Sequence, residues 1–139
     1  MHILIVDDDL DDIFLLTEDL LQYGYEVWTA NNGERALTQV QAQPVDIALL
    51  DVNLPWLNGI ELIPRLQALL PEVTIILLTN YGTISQAVEA MRLGAFDYLQ
   101  KPVQLQQLRA VIERAWKAKE PQIEALSRLT RREREVAQL

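Results

Sequence analysis

Five polar side chains occupy the places where this chain could do chemistry: Asp7 with Asp8, Asp51, Thr79 and Lys101. Asp51 ends the nearly continuous apolar run Val45, Ile47, Ala48, Leu49 and Leu50, and a turn, Val52-Asn53-Leu54-Pro55, follows it. Such a run suits a strand buried on both faces of a parallel sheet. A carboxylate directly after it sits at the strand's carboxyl end, the edge where open α/β sheets bind ligands. The plainer alternative is an Asp that only caps the next element. Asp7 and Asp8 close a first run, Ile3 to Val6, and two adjacent carboxylates there repel each other unless a cation lies between them. Asp9, Asp11 and Asp12 are accounted for by helix capping and the macrodipole. Thr79 ends the run Val73 to Leu78; Thr83 or Ser85 can cap the next helix, which leaves Thr79 free for a site. Lys101 is the one base between Gly94 and Leu108, against the ordinary alternative of a solvated lysine at a strand end.

Three carboxylates, a hydroxyl and an ammonium suit a hard divalent cation and a phosphoryl group. Mg²⁺ prefers carboxylate and carbonyl oxygens, and would both neutralise the acids and bridge to phosphoryl oxygens. Asp51 can then act as a nucleophile that forms an aspartyl phosphate. Lys101 would pair with one phosphoryl oxygen and Thr79 would hydrogen-bond another. A phosphatase built on an Asp nucleophile needs a second acid two residues on; that position is Asn53, and an amide cannot protonate a leaving group. A flavin site is disfavoured because Asp7 to Asp12 would repel its phosphate in the absence of a metal.

The elements that must bring these residues together follow from the pattern. A strand over 2–7 leads to a helix carrying Ile13, Leu16, Leu20 and Leu21, stopped by Gly24. Tyr25 to Thr29 alternates as an edge strand does. A helix over 32–41, capped by Asn31 or Asn32, ends before Pro44, and the third strand ends in Asp51. Asn58-Gly59-Ile60-Glu61 approximates a capping box; its helix carries Ile60, Leu62, Ile63, Leu66 and Leu69, with Pro64 removing one backbone donor. After the fourth strand comes a helix over 84–93, with Ile84, Val88, Met91 and Leu93 expected to be buried. Phe96 to Leu99 alternates as a second edge strand. A final helix over 104–119 puts Leu105, Leu108, Val111, Ile112 and Ala115 on one face. Five βα units with two alternating strands predict an α/β, flavodoxin-like (βα)5 three-layer sandwich. Its parallel sheet, in the order 2-1-3-4-5 with strands two and five at the edges, converges all five polar residues on one rim.

Composition narrows the alternatives. The 139 residues contain no cysteine and one histidine, His2, so disulfides, thiolate metal sites and histidine-based triads are excluded. No stretch resembles a signal peptide or spans a bilayer, so a cytoplasmic location without membrane contact is expected. The net charge of −8 divides into −11 over residues 1–108 and +3 over 109–139. The body therefore lacks the basic surface that nucleic acid requires.

Ile5-Val6-Asp7-Asp8, Asp51-Val52-Asn53-Leu54-Pro55 with Gly59, Leu77-Leu78-Thr79 and Gly94 through Pro102 together resemble the receiver domain of bacterial two-component response regulators. The resemblance covers about residues 1–120. It implies a phosphoacceptor that promotes its own phosphotransfer and dephosphorylation and is not otherwise an enzyme. It implies that Asp51 accepts phosphate from a sensor histidine kinase, with Mg²⁺ held by Asp7, Asp8, Asp51 and the backbone carbonyl of Asn53. Thr79 and Tyr98 would form a switch pair, Lys101 would contact the phosphate, and the Lys101-Pro102 bond would be cis, which only proline makes affordable. Phosphorylation would promote a homodimer through the fourth helix and fifth strand. Asn80 departs from the small residue usual after the threonine; with Asn53 and Tyr81 it borders the pocket and bears on phosphate lifetime. Trp56 is expected at the site's mouth, or as a packed loop aromatic. The competing reading is a receiver-like interaction module that works without phosphorylation, which the complete set Asp7, Asp8, Asp51, Thr79 and Lys101 opposes.

Beyond Pro121, Ile123, Leu126 and Leu129 suggest a helical linker over 121–129. Leu129-Thr130-Arg131-Arg132-Glu133-Arg134-Glu135-Val136-Ala137-Gln138-Leu139 resembles the start of a LuxR-type (NarL/FixJ-like) helix-turn-helix domain, its first helix over 130–139; a generic charged helix is the alternative. The expectation is a truncated transcriptional regulator that reaches DNA only through a missing output domain.

Overall fold

The computed structural model describes residues 1–119. The chain divides into two units, the first Met1–Leu105 and the second beginning at Gln106. The first contains β1 (His2–Val6), α1 (Leu10–Gln22), β2 (Glu26–Ala30), α2 (Gly33–Ala42), β3 (Ile47–Asp51), α3 (Gly59–Leu69), β4 (Thr74–Thr79), α4 (Ile84–Arg92) and β5 (Asp97–Gln100). A further helix, α5, occupies 105–119, with Leu108, Val111, Ile112 and Ala115 buried as expected. The proposed linker and the LuxR-like stretch lie outside the described residues.

The strands form one parallel sheet in the order β2-β1-β3-β4-β5, the flavodoxin-like order, with the two alternating strands at its edges. Burial of β3 throughout, and of β1 and β4 beyond their first residues, explains their continuous apolar runs. On one face Leu4, Val6, Ala48, Leu50, Ile75 and Leu77 pack with Ala36 and Val40 of α2, Leu62, Ile63 and Leu66 of α3, and Ala90 of α4. On the opposite pleat Ile3, Ile5, Ile47, Leu49 and Ile76 are equally buried, and α1 contributes Leu20. Each such large side chain stabilises the fold by about 1.5–3 kcal/mol, so the sheet is a stiff platform for its rim.

The helix starts are capped as the sequence implies. Asn32 accepts from Arg35 N–H, Asn58 from Glu61 N–H, and Thr83 forms a reciprocal capping box with Gln86. Gly24 and Gly94 end α1 and α4 with positive φ angles of 84° and 104°. Pro64 leaves α3 continuous to Leu69.

The burial of α4 differs from expectation. Ile84, Val88 and Met91 are 85%, 51% and 48% exposed, whereas Ala90 is fully buried and Leu93 packs partly against the core. A small residue lets the helix backbone approach the layer beneath, so Ala90 takes the inner position and the larger apolar stripe is left outside. Leu21 and Leu69 are also exposed, at the margins of their helices.

Candidate functional site

Register places the polar residues within two residues of one another along the strands, at the same end of the sheet. Asp51 lies opposite Leu78, Thr79 opposite Gln100, and Lys101 N–H donates to the Thr79 carbonyl at 2.7 Å. Asp7 continues β1, its N–H bonded to Ala30 O. All five candidates therefore meet at the carboxyl rim. Asp7, Asp51 and Thr79 are the buried polar residues among those described, while Asp8 is exposed.

The carboxylates of Asp7, Asp8 and Asp51 can place one oxygen each within 4.8 Å of one another. Lys101 Nζ donates to Asp7 Oδ2 at 2.6 Å and to Asp12 Oδ2 at 3.0 Å, and faces Asp51 Oδ2 at 3.7 Å. One ammonium thus serves several carboxylates, leaving excess negative charge in a largely covered place. Burial pushes the Asp51 carboxyl up from 3.8 to about 6; the Asn53 N–H and Lys101 oppose the rise, and Asp7 adds to it. Burial acts to depress the Lys101 ammonium, but its bonds to Asp7 and Asp12 and the charges of Asp7 and Asp51 outweigh this and hold it above the ordinary lysine range. A set of hard anionic oxygens with uncompensated charge fits a divalent cation such as Mg²⁺.

Backbone and side-chain contacts orient the Asp51 and Thr79 side chains. Asn53 N–H donates to Asp51 Oδ1 at 3.1 Å, leaving Oδ2 towards Lys101. The Thr79 hydroxyl oxygen accepts from Asn53 Nδ2 and from Tyr81 N–H, both at 3.3 Å, so its own proton can be donated elsewhere. Gly59 is required by space: a Cβ there would overlap the Asp51 carbonyl oxygen and lie 2.9 Å from the Asp51 carbonyl carbon. Its N–H bonds to Val52 O at 3.0 Å, docking the start of α3 against the strand end.

Tyr98 is half-buried, and its hydroxyl is buried with no hydrogen-bond partner. Burial pushes its phenol up; the Thr79 hydroxyl is near enough to oppose this without meeting hydrogen-bond geometry. Asn80 lines a cavity of about 310 Å³ together with Lys101 and Asp12. Tyr81 and Trp56 are 84% and 87% exposed, so Trp56, at a φ of 64°, is not a packed loop aromatic. The Lys101-Pro102 bond is cis.

Asp12 is the participant that sequence reasoning assigned to capping. The cap is Asp9, which accepts from the N–H groups of Asp11 and Asp12, and the Asp12 side chain returns to Lys101. The available signal was its place in the first turn of α1, one turn beyond the rim.

Residues 3–113 match the response regulator receiver domain family. The chain belongs to that family. It is therefore a two-component receiver domain, of a class that works by phosphorylation-dependent signalling. Among similar proteins, the transcriptional regulatory protein ZraR of Escherichia coli (strain K12) is 40% identical over 115 residues, 83% of this chain and 26% of that protein. The CheY-like receiver of Methanospirillum hungatei JF-1 superposes with a TM-score of 0.83 at 30% identity, covering 87% of this chain and 97% of that one. A Burkholderia pseudomallei response regulator, solved with a phosphorylated aspartic acid, calcium ion and citrate, has a TM-score of 0.77 at 31% identity, over 91% of this chain and 74% of that one. The chain spans about a quarter of the length of the curated relatives it matches. Among the described residues no helix is long and apolar enough to cross a membrane.

Proposed function

We propose that Asp51 is the phosphoacceptor, receiving phosphate from a sensor histidine kinase. The carrying observation is its buried carboxylate at the rim, with one oxygen held by Asn53 N–H and the other facing Lys101 at 3.7 Å. Asp51 Oδ2 attacks the phosphorus, the bond from phosphorus to the donor's nitrogen or oxygen breaks, and the donor leaves with the electron pair. Lys101 stabilises charge on one phosphoryl oxygen, and the Thr79 hydroxyl donates its proton to another. Asp7, Asp8, Asp51 and the Asn53 backbone carbonyl would hold Mg²⁺. When bound, it supplies positive charge that offsets the carboxylates and attracts the phosphoryl oxygens. The Burkholderia relative's phosphorylated aspartic acid and cation support this assignment by similarity.

Thr79 and Tyr98 are then the switch pair, and Asn80, beside Lys101, tunes access and hydrolysis. The exposed Ile84, Val88 and Met91 of α4 support a homodimer formed through α4 and β5 on phosphorylation. The receiver spans 1–120 of a cytoplasmic transcriptional regulator, followed by a linker over 121–129. A LuxR-type output domain rests on residues 129–139 alone and draws no support from the relatives, so only DNA contact through some output domain is proposed.

Intact mass after incubation with Mg²⁺ and an acyl phosphate tests the acceptor. One added phosphoryl group, dependent on Mg²⁺ and absent from Asp51→Asn, is expected. No addition from either the acyl phosphate or a histidine kinase would overturn the proposal in favour of an unphosphorylated interaction module.

A further inference from the structure

Gly82 lies in the loop between β4 and α4, and its φ is outside the left-handed region that favours glycine. Backbone conformation therefore does not require a glycine there. Space does. A Cβ on Gly82 would overlap the Tyr98 hydroxyl oxygen, lie 3.0 Å from Tyr98 Cε1 and lie 2.9 Å from Thr79 Cγ2. The aromatic ring and the threonine methyl thus converge on the one residue that has no side chain to obstruct them.

We propose that Gly82 is a positioning residue whose missing side chain provides the inward seat of the Tyr98 ring, so that any side chain at position 82 drives the ring out. Three groups could yield to an added methyl. Thr79 is fully buried on a central strand and cannot move cheaply. The loop is tied on both sides of Gly82, by Tyr81 N–H to the Thr79 hydroxyl and by the Thr83–Gln86 capping box. The Tyr98 ring is held by no hydrogen bond at its hydroxyl, and it borders a cavity of about 280 Å³ also lined by Thr83, Ile84 and Ala87. Of the three, the ring is the group free to leave. Its seating stands on packing alone. The signalling consequence, that Gly82→Ala uncouples phosphorylation from output, rests on the switch reading of Thr79 and Tyr98.

The test uses the full chain with tyrosine rings labelled at the ε carbons, Tyr98 assigned through Tyr98→Phe, and a soluble paramagnetic agent that broadens exposed rings. In the wild type the Tyr98 signal should be protected relative to that of exposed Tyr81; in Gly82→Ala its broadening should rise to the level of Tyr81. A companion cycle compares unfolding of Gly82→Ala with the same change in a Tyr98→Leu background, where the stability loss should largely vanish. If Gly82→Ala fails to fold, recovery of folding in the double variant supports the proposal. A ring that stays protected in folded Gly82→Ala, an equal stability loss in both backgrounds, or a double variant that also fails to fold would overturn it. Phosphorylating the wild type and following the same signal tests the switch separately. A Tyr98 signal that ignores phosphorylation refutes the switch reading and leaves the Gly82 seat standing.

Discussion

Replacing Asp51 by asparagine should stabilise the fold at neutral pH when no divalent cation is present. In the folded chain the Asp51 carboxyl titrates at about 6 against an ordinary 3.8, chiefly because burial penalises its charge. Between those values the folded state holds a proton that the unfolded state has released, so stability falls as pH rises through the window. At about 1.4 kcal/mol per pKa unit the ionised carboxylate costs at most about 3 kcal/mol above pH 6. The effective dielectric inside proteins, well above that of dry protein, reduces the cost to about 1–2 kcal/mol. Asparagine keeps an oxygen that can accept from Asn53 N–H, and Asp7 and Asp12 remain to pair Lys101, so the charge is removed with little else. Urea unfolding followed by circular dichroism in a chelator should therefore show Asp51→Asn more stable than the wild type by about 1–2 kcal/mol at pH 7, with the difference vanishing near pH 4. Adding Mg²⁺ should stabilise the wild type by mass action and the variant less. A variant less stable than the wild type at pH 7 in chelator, or a gap that does not shrink with acid, would refute the electrostatic reasoning.

Lys101→Ala leaves Asp7 buried without its cation and should cost about 3–5 kcal/mol in chelator, part of it recovered by Mg²⁺; denaturant midpoints with and without the metal check this. Gly59→Ala forces a methyl onto the Asp51 backbone and should cost about 1–3 kcal/mol or more by overpacking, with slower phosphoryl uptake measured by intact mass. Thr83→Ala removes the α4 capping box and should cost about 1 kcal/mol, read as a lowered thermal midpoint.

The sequence by itself determined the strand ends and therefore the place of the candidate site. A two-face-buried strand must be apolar until it reaches the rim, so the first polar residue after each run, Asp7, Asp51 and Thr79, marks the same edge, and crossover handedness then brings in Lys101. Caps were equally legible, because Asn32, Asn58 and Thr83 act on N–H groups within three residues. What only the tertiary structure decided was every choice between partners distant along the chain. The periodicity of α4 is satisfied by either of two faces, and close approach selected Ala90 over the larger Ile84, Val88 and Met91. Asp12 had a sufficient local explanation at a helix start, and only folding brought it within 3.0 Å of Lys101, 89 positions away. Nothing local in the sequence marks Gly82; only the fold brings the Tyr98 hydroxyl against it. Local propensity acts through neighbouring backbone groups, whereas packing depends on volumes that meet only after the sheet has assembled.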